Sequence, residues 1–256
     1  MMELQEHHGF RLWLQEVRVD GYAVRGACIQ TGTTALIWDT LSHPRNMEAY
    51  LPLLSGRRLI IVYSHADYDH IWGTGGLPYE RAEIIAEESA LARFATDVPG
   101  MLEQRRKQEP EVWREVVLVP PKKSFSKITV LDLGNVRLTL HSVPGHTADT
   151  IVGYLKEAGL LLAGDAVECP LVEVTRPEHV PEWLALLRTF QAMPGLRRVI
   201  PAHGPMGGPE ILAETVQYLE SLQAGQDCFG GRELSDFYAQ LHKENLRRMA
   251  VFLRRG

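Results

Sequence analysis

Apolar residues come in short runs along this chain, and turn residues separate them. Residues 10–30 carry two strand-like runs on either side of Asp20-Gly21, a dipeptide that favours a tight hairpin. A third run over residues 33–38 ends at Asp39. Ser42-His43-Pro44 then reads as a loop entering a helix over about residues 44–54. Residues 57–63 are apolar enough to be a buried strand, and a shorter strand is predicted over 81–86. From Glu87 to about residue 118 the spacing becomes helical, with Pro99 and Pro110 as interruptions. This stretch reads as an inserted helical segment, either a solvated surface pair or a lid over a site. Strand patterns return at 128–133 and 136–143 around Gly134-Asn135, then at 151–155, 160–163 and 197–200. Helices are predicted at 181–193, where Trp183, Leu184, Leu187 and Phe190 recur at helical spacing, and at 209–223 and 233–254 with a break at 225–231. Short strands with tight turns, followed by strand–helix alternation, predict a mixed sheet.

With 256 residues the chain is long enough for one large core. A single domain over 1–256 is therefore expected, with a helical insertion at about 87–118 and a C-terminal helical tail at about 209–256. A formal net charge of −5 offers no basic footprint for a nucleic-acid backbone, which disfavours a nuclease. No apolar run approaches the roughly 18 residues that span a membrane. The polar first residues lack the pattern of a secretory signal. Cys28, Cys169 and Cys228 are far apart and form no CxxC pair, which argues against a disulfide scaffold. The expectation is a cytoplasmic protein with a small-molecule substrate, no nucleic-acid or membrane partner, and a homodimer left open.

Candidate chemistry sits where the apolar runs stop. After the run 59–63 comes Ser64-His65-Ala66-Asp67-Tyr68-Asp69-His70, with Gly73-Thr74-Gly75-Gly76 as flexible backbone close by. His146 follows Val143, Asp165 follows Ala163-Gly164, and His203 follows Ile200 by three residues. Strand ends are where open α/β sheets place their sites. Glycine or proline beside each ligand permits a sharp turn and close backbone approach. The donors are nitrogen and oxygen without thiolate, a set that suits zinc, iron or manganese.

The set His65-x-Asp67-x-Asp69-His70, Gly145-His146-Thr147, Gly164-Asp165 and Ala202-His203-Gly204 resembles the metallo-β-lactamase superfamily in order and spacing, from about residue 20 to about 223. The resemblance implies an α/β fold, a four-layer αβ/βα sandwich of two mixed β-sheets flanked by helices, with a dinuclear site at one edge of the sheets. It implies two divalent metal ions, zinc first and iron or manganese as alternatives. Carried over residue by residue, His65, Asp67 and His146 hold the first ion, and Asp69, His70 and His203 the second. Asp165 bridges them, and Asp69 also orients the nucleophile. Asp39 matches an aspartate that supports a ligating histidine. Tyr68, Trp72 and Cys169, adjacent to ligands, are pocket candidates. The other histidines read as surface or packing residues.

One position departs from the family pattern HxHxDH: its second histidine is Asp67 here. The exchange adds a negative charge and a harder donor, which shifts preference toward iron or manganese; the alternative is a weakened or empty first site. The leading expectation is a metal-dependent hydrolase using a metal-activated water on a small ester, thioester or lactone. The second is an iron-containing oxidoreductase, persulfide dioxygenase-like or diiron, on the same scaffold. A third is a metal-binding protein that has lost its activity.

Overall fold

The computed structural model describes residues 2–7, 9–229 and 233–254. His8, Gly230, Gly231 and Arg255 lie outside the described residues, as does the side chain of His7. The chain divides into two compact units, residues 1–142 and 143–256.

In the first unit, β1 (Met2–His7), β2 (Phe10–Val19), β3 (Tyr22–Gln30) and β4 (Thr34–Trp38) pair antiparallel in succession. The β2–β3 hairpin turns on Asp20 and Gly21, with φ of 51° and 87°, the left-handed pair that a two-residue turn demands. From β4 the sheet continues in parallel through β5 (Arg58–Val62), β6 (Glu83–Glu87) and β7 (Lys123–Phe125). Leu12, Ile29, Leu36, Ile37 and Ile60 are fully buried, as the apolar runs require. The hairpin β8 (Ile128–Asp132) and β9 (Arg137–Ser142) closes the unit. β1 and β7 escape the sequence reading because both are short or polar.

The helices of this unit differ from expectation in detail. Residues Pro44–Leu54 wind as 3-10 turns, entered at Pro44 behind a His43 cap and holding Pro52 inside. After α1 (Tyr68–Ile71) come α2 (Glu88–Ala95), α3 (Asp97–Gln108) and α4 (Pro110–Trp113). Pro99 does not interrupt a helix, whereas the helical stretch does break at Glu109-Pro110, between α3 and α4. Both prolines lie in first turns, where a backbone N–H has no intrahelical partner to lose. The glycine run 73–76 is a tight approach rather than a flexible linker: it forms a 3-10 turn, Trp72–Gly76. A Cβ on Gly73 would lie 1.7 Å from the Thr40 carbonyl oxygen. Gly73→Ala should therefore destabilise the protein by about 3 kcal/mol, read as a lower urea midpoint; an unchanged midpoint would refute the close approach.

In the second unit, β10 (Ile151–Leu155) pairs antiparallel with β11 (Leu160–Gly164), and β11 pairs in parallel with β12 (Arg198–Pro201). Helices α5 (Val180–Gln191), α6 (Glu210–Gln223) and α7 (Asp236–Leu253) complete it. Trp183, Leu187 and Phe190 of α5 pack with Leu161, Val199, Leu212 and Leu219 in one buried cluster. Buried Asn245 fixes the tail helix α7: its Oδ1 accepts from Val174 N at 2.9 Å and its Nδ2 donates to Val172 O at 2.7 Å. Among the described residues, no helix is long and apolar enough to cross a membrane.

Candidate metal centre

The first unit brings four of the expected donors to the end of β5. Parallel pairing sets Trp38 beside Val62, so Asp39 and Ser64 emerge from neighbouring strand ends. Asp39 has φ of 59°, a left-handed conformation that aspartate tolerates better than most residues. It is fully buried. Its Oδ1 accepts from Ser64 N at 2.7 Å, and its Oδ2 from Ser64 Oγ at 2.8 Å. The same Oδ2 lies 2.9 Å from His70 Nδ1. Ser64 Oγ in turn lies 3.1 Å from His65 Nδ1. Each Nδ1 is thus occupied, which leaves Nε2 as the lone-pair nitrogen of both rings.

Those Nε2 atoms face carboxylates. His65 Nε2 lies 3.3 Å from Asp67 Oδ2, and His70 Nε2 lies 3.8 Å from Asp69 Oδ1. The two rings are 4.1 Å apart. Two imidazoles and two carboxylates packed this closely, with histidine tautomers set from behind, fit a divalent cation rather than a hydrogen-bonded core.

A phenol chain reaches Asp69 from outside the motif. Tyr22 Oη, on β3, donates to Asp69 Oδ2 at 3.0 Å and touches Tyr68 Oη at 2.7 Å. Tyr68 Oη donates to Asp20 Oδ2 at 2.6 Å, and Arg105 of α3 also binds Asp20. The Arg105 guanidinium sits 4.4 Å over the Tyr68 ring. Two phenolic protons serve three short contacts, so the chain can orient in more than one way. Burial and the Asp69 charge push both phenols well above the ordinary tyrosine range, so they remain neutral donors. Trp72, by contrast, is wholly buried, edge-on to Trp113 and Tyr68.

The second unit carries the other three expected donors. Asp165 and His203 follow the parallel strands β11 and β12, which Ala202 N ties by a 3.0 Å bond to Gly164 O. Asp165 Oδ2 lies 3.2 Å from His203 Nε2 and 3.5 Å from His146 Nε2. His146 Nδ1 lies 3.2 Å from the Glu173 carbonyl oxygen, to which it donates, again leaving Nε2 as the acceptor nitrogen. One carboxylate oxygen between two imidazole nitrogens has the chemistry of a shared metal ligand. Cys169 is half-buried, with Sγ 3.4 Å from Glu214 Oε2; burial pushes its thiol up to about 12, so it is no nucleophile at neutral pH.

Glu168 and Tyr238 join this half of the site, and neither was a candidate from sequence. Glu168 is buried and accepts a 2.7 Å bond from Tyr238 Oη of α7. Burial pushes its carboxyl up to about 7, against the attraction of His203 and with the help of the Asp165 charge. A folded-state value above the unfolded value of about 4.3 means that the folded protein holds the extra proton in between. Stability from this group is thus present at low pH and falls as pH rises from about 4.5 to about 7. For metal-free protein, Glu168→Gln should flatten that decline in melting temperature. A decline of the same steepness in the variant would show that another group causes it.

Two mixed β-sheets flanked by helices, with histidines and aspartates at strand ends, define an α/β metal-binding fold of the metallo-β-lactamase type. The metallo-beta-lactamase superfamily profile matches residues 22–203, and the chain belongs to that superfamily. It is similar in structure to a metallo-beta-lactamase from Pontibacter korlensis (TM-score 0.62, 18% identity, covering 86% of this chain and 98% of that one). It is also similar to a metallo-beta-lactamase family protein from Thermus thermophilus (TM-score 0.63, 23% identity, 83% and 82% covered). Among curated proteins, it is 27% identical over 169 residues to the acyl-coenzyme A thioesterase MBLAC2 of Gallus gallus. That match covers 61% of this chain and 60% of the relative's length. Membership of the superfamily implies divalent metal binding, which the donor clusters fit.

Proposed function

We propose that the protein is a metal-dependent hydrolase of thioesters, with acyl-coenzyme A derivatives as the first class to test. The observation that carries the substrate class is the similarity to the avian acyl-coenzyme A thioesterase. In this reading His65, Asp67 and His146 would hold one ion and Asp69, His70 and His203 a second, with Asp165 available as a ligand to either. A divalent ion bound by these residues would supply a water of lowered pKa and a Lewis acid for an acyl carbonyl oxygen. Asp69 orients the attacking water, and the Tyr22 phenol at 3.0 Å holds that carboxylate in place. Asp39 and Ser64 keep His70 and His65 in the tautomers that present Nε2. A departing thiol has a pKa near about 8.5, so it leaves as the thiolate without a strong acid beside it. Zinc is the first choice of ion. The hard oxygen donor of Asp67 favours iron or manganese as alternatives, and with iron an oxidoreductase becomes the second reading. The three cysteines are free thiols, which suits the reducing cytoplasm that we propose as the site of action.

The test is a panel of acyl-coenzyme A thioesters, simple thioesters, matched oxygen esters and lactones, run on protein loaded with zinc, iron or manganese. The expected result is a higher kcat/KM for thioesters than for matched esters, abolished in His146→Ala. Thioester turnover equal in wild type and His146→Ala would overturn the reading. Oxygen consumption by the iron form alone would favour the oxidoreductase.

A further inference from the structure

Asp67 is the one position where the metal loop departs from the family pattern, and the helical insertion answers it directly. Asp67 is the residue before α1, yet its side chain makes no capping hydrogen bond, so the carboxylate is not spent on the helix. Its Oδ1 accepts from Arg93 Nη2 at 2.6 Å, while its Oδ2 lies on the other side, 3.3 Å from His65 Nε2. Arg93 comes from α2, where the Glu87 carboxylate caps the helix on Ser89 N. Arg93 is further fixed by Asp97, with Nε–Oδ2 at 3.0 Å and Nη2–Oδ2 at 2.9 Å. The Arg93 side chain is 16% exposed and that of Asp67 26%, so the pair is only partly screened by water.

An aspartate in place of a neutral imidazole adds one negative charge to the loop, and a guanidinium on one of its oxygens, shared with Asp97, offsets part of it. A free carboxylate can rotate and chelate with both oxygens. One whose Oδ1 is held in a short charge-assisted bond offers a single oxygen, in a fixed direction, as an imidazole offers a single nitrogen. We infer that Arg93 is a positioning residue that makes Asp67 a one-oxygen stand-in for a histidine ligand. The inference rests on the proposed metal centre.

The two positions should therefore be coupled in metal binding. Metal-free wild type, Arg93→Gln, Asp67→His and the double variant are titrated with zinc in a calorimeter, and with cobalt(II) followed by its visible absorption. Arg93→Gln should weaken one metal equivalent about 10–100-fold, the usual loss when the partner of a ligand is removed, and should change the cobalt spectrum. In the Asp67→His background the same substitution should change affinity less than about threefold, because the ligand it serves is gone. Arg93→Lys keeps the charge but not the fork, and should recover part of the loss. Thermal melts of the metal-free proteins report on folding separately. An unchanged or tighter affinity in Arg93→Gln, or an equal loss in both backgrounds, would overturn the assignment. Absence of zinc binding by wild type would instead overturn the metal centre itself, and this inference with it.

Discussion

Asp165→Asn is expected to lower thioester hydrolysis by about 10³-fold or more, the scale at which the loss of a pre-set electrostatic element is felt. The change is nearly isosteric, so packing is spared. What it removes is the charge on an oxygen that sits 3.2 Å from His203 Nε2 and 3.5 Å from His146 Nε2. An amide oxygen there is a weaker donor to a cation and carries no charge to balance it. The stability readout should move in the opposite sense in the metal-free protein. Asp165 raises the pKa of buried Glu168, so the two carboxylates oppose one another. Removing one charge should leave the metal-free variant as stable as wild type or more so. Wild type should gain about 2.7 kcal/mol from metal at one hundred times its dissociation constant, and the variant should lose most of that gain. Equal metal-induced shifts in melting temperature would exclude Asp165 as a ligand.

The second large effect is expected at Asp39, behind the ligands. Its two oxygens serve Ser64 N, Ser64 Oγ and His70 Nδ1, all buried. Asp39→Ala strands these groups at about 1–3 kcal/mol each, so a loss of about 3–5 kcal/mol is expected in urea unfolding of the metal-free protein. Metal affinity should fall about 10–100-fold, since His70 is no longer held with Nε2 as its acceptor nitrogen. Asp39→Asn keeps the left-handed backbone at lower cost and should separate the two effects. Full metal affinity in Asp39→Ala would show that His70 needs no orienting partner.

Much of the scaffold was legible in the sequence because burial leaves a local trace. The runs ending at residues 38, 63, 163 and 200 became β4, β5, β11 and β12, and the hairpin at Asp20-Gly21 fell where that dipeptide put it. The ligand motifs were legible because each follows such a run. What escaped is non-local. Nothing near Arg93 marks it as the partner of a residue 26 positions earlier, and Arg105 meets Asp20 across 85 positions. Glu168 carries no local mark either, because the buried phenol that answers it comes from α7, 70 positions on. A polar side chain whose partner lies on another element leaves no periodicity. β7 was missed for a related reason: Lys123 and Ser124 are exposed, and the parallel pairing with β6 makes the strand.

The tip of the β2–β3 hairpin has a consequence for anyone who engineers this chain. By turn chemistry, Asp20-Gly21 could be exchanged for Asn-Gly, or widened to accept an epitope tag, with little harm to the hairpin. Yet the Asp20 carboxylate anchors both Tyr68 and Arg105, and through the two phenols it is three contacts from Asp69. An Asn-Gly tip should give a protein that expresses and melts normally while the carboxylate that anchors Tyr68 and Arg105, and through them the contact to Asp69, has lost its charge. Loop grafts and tags are better placed elsewhere, and a screen scored on soluble yield alone would retain the damaged variants.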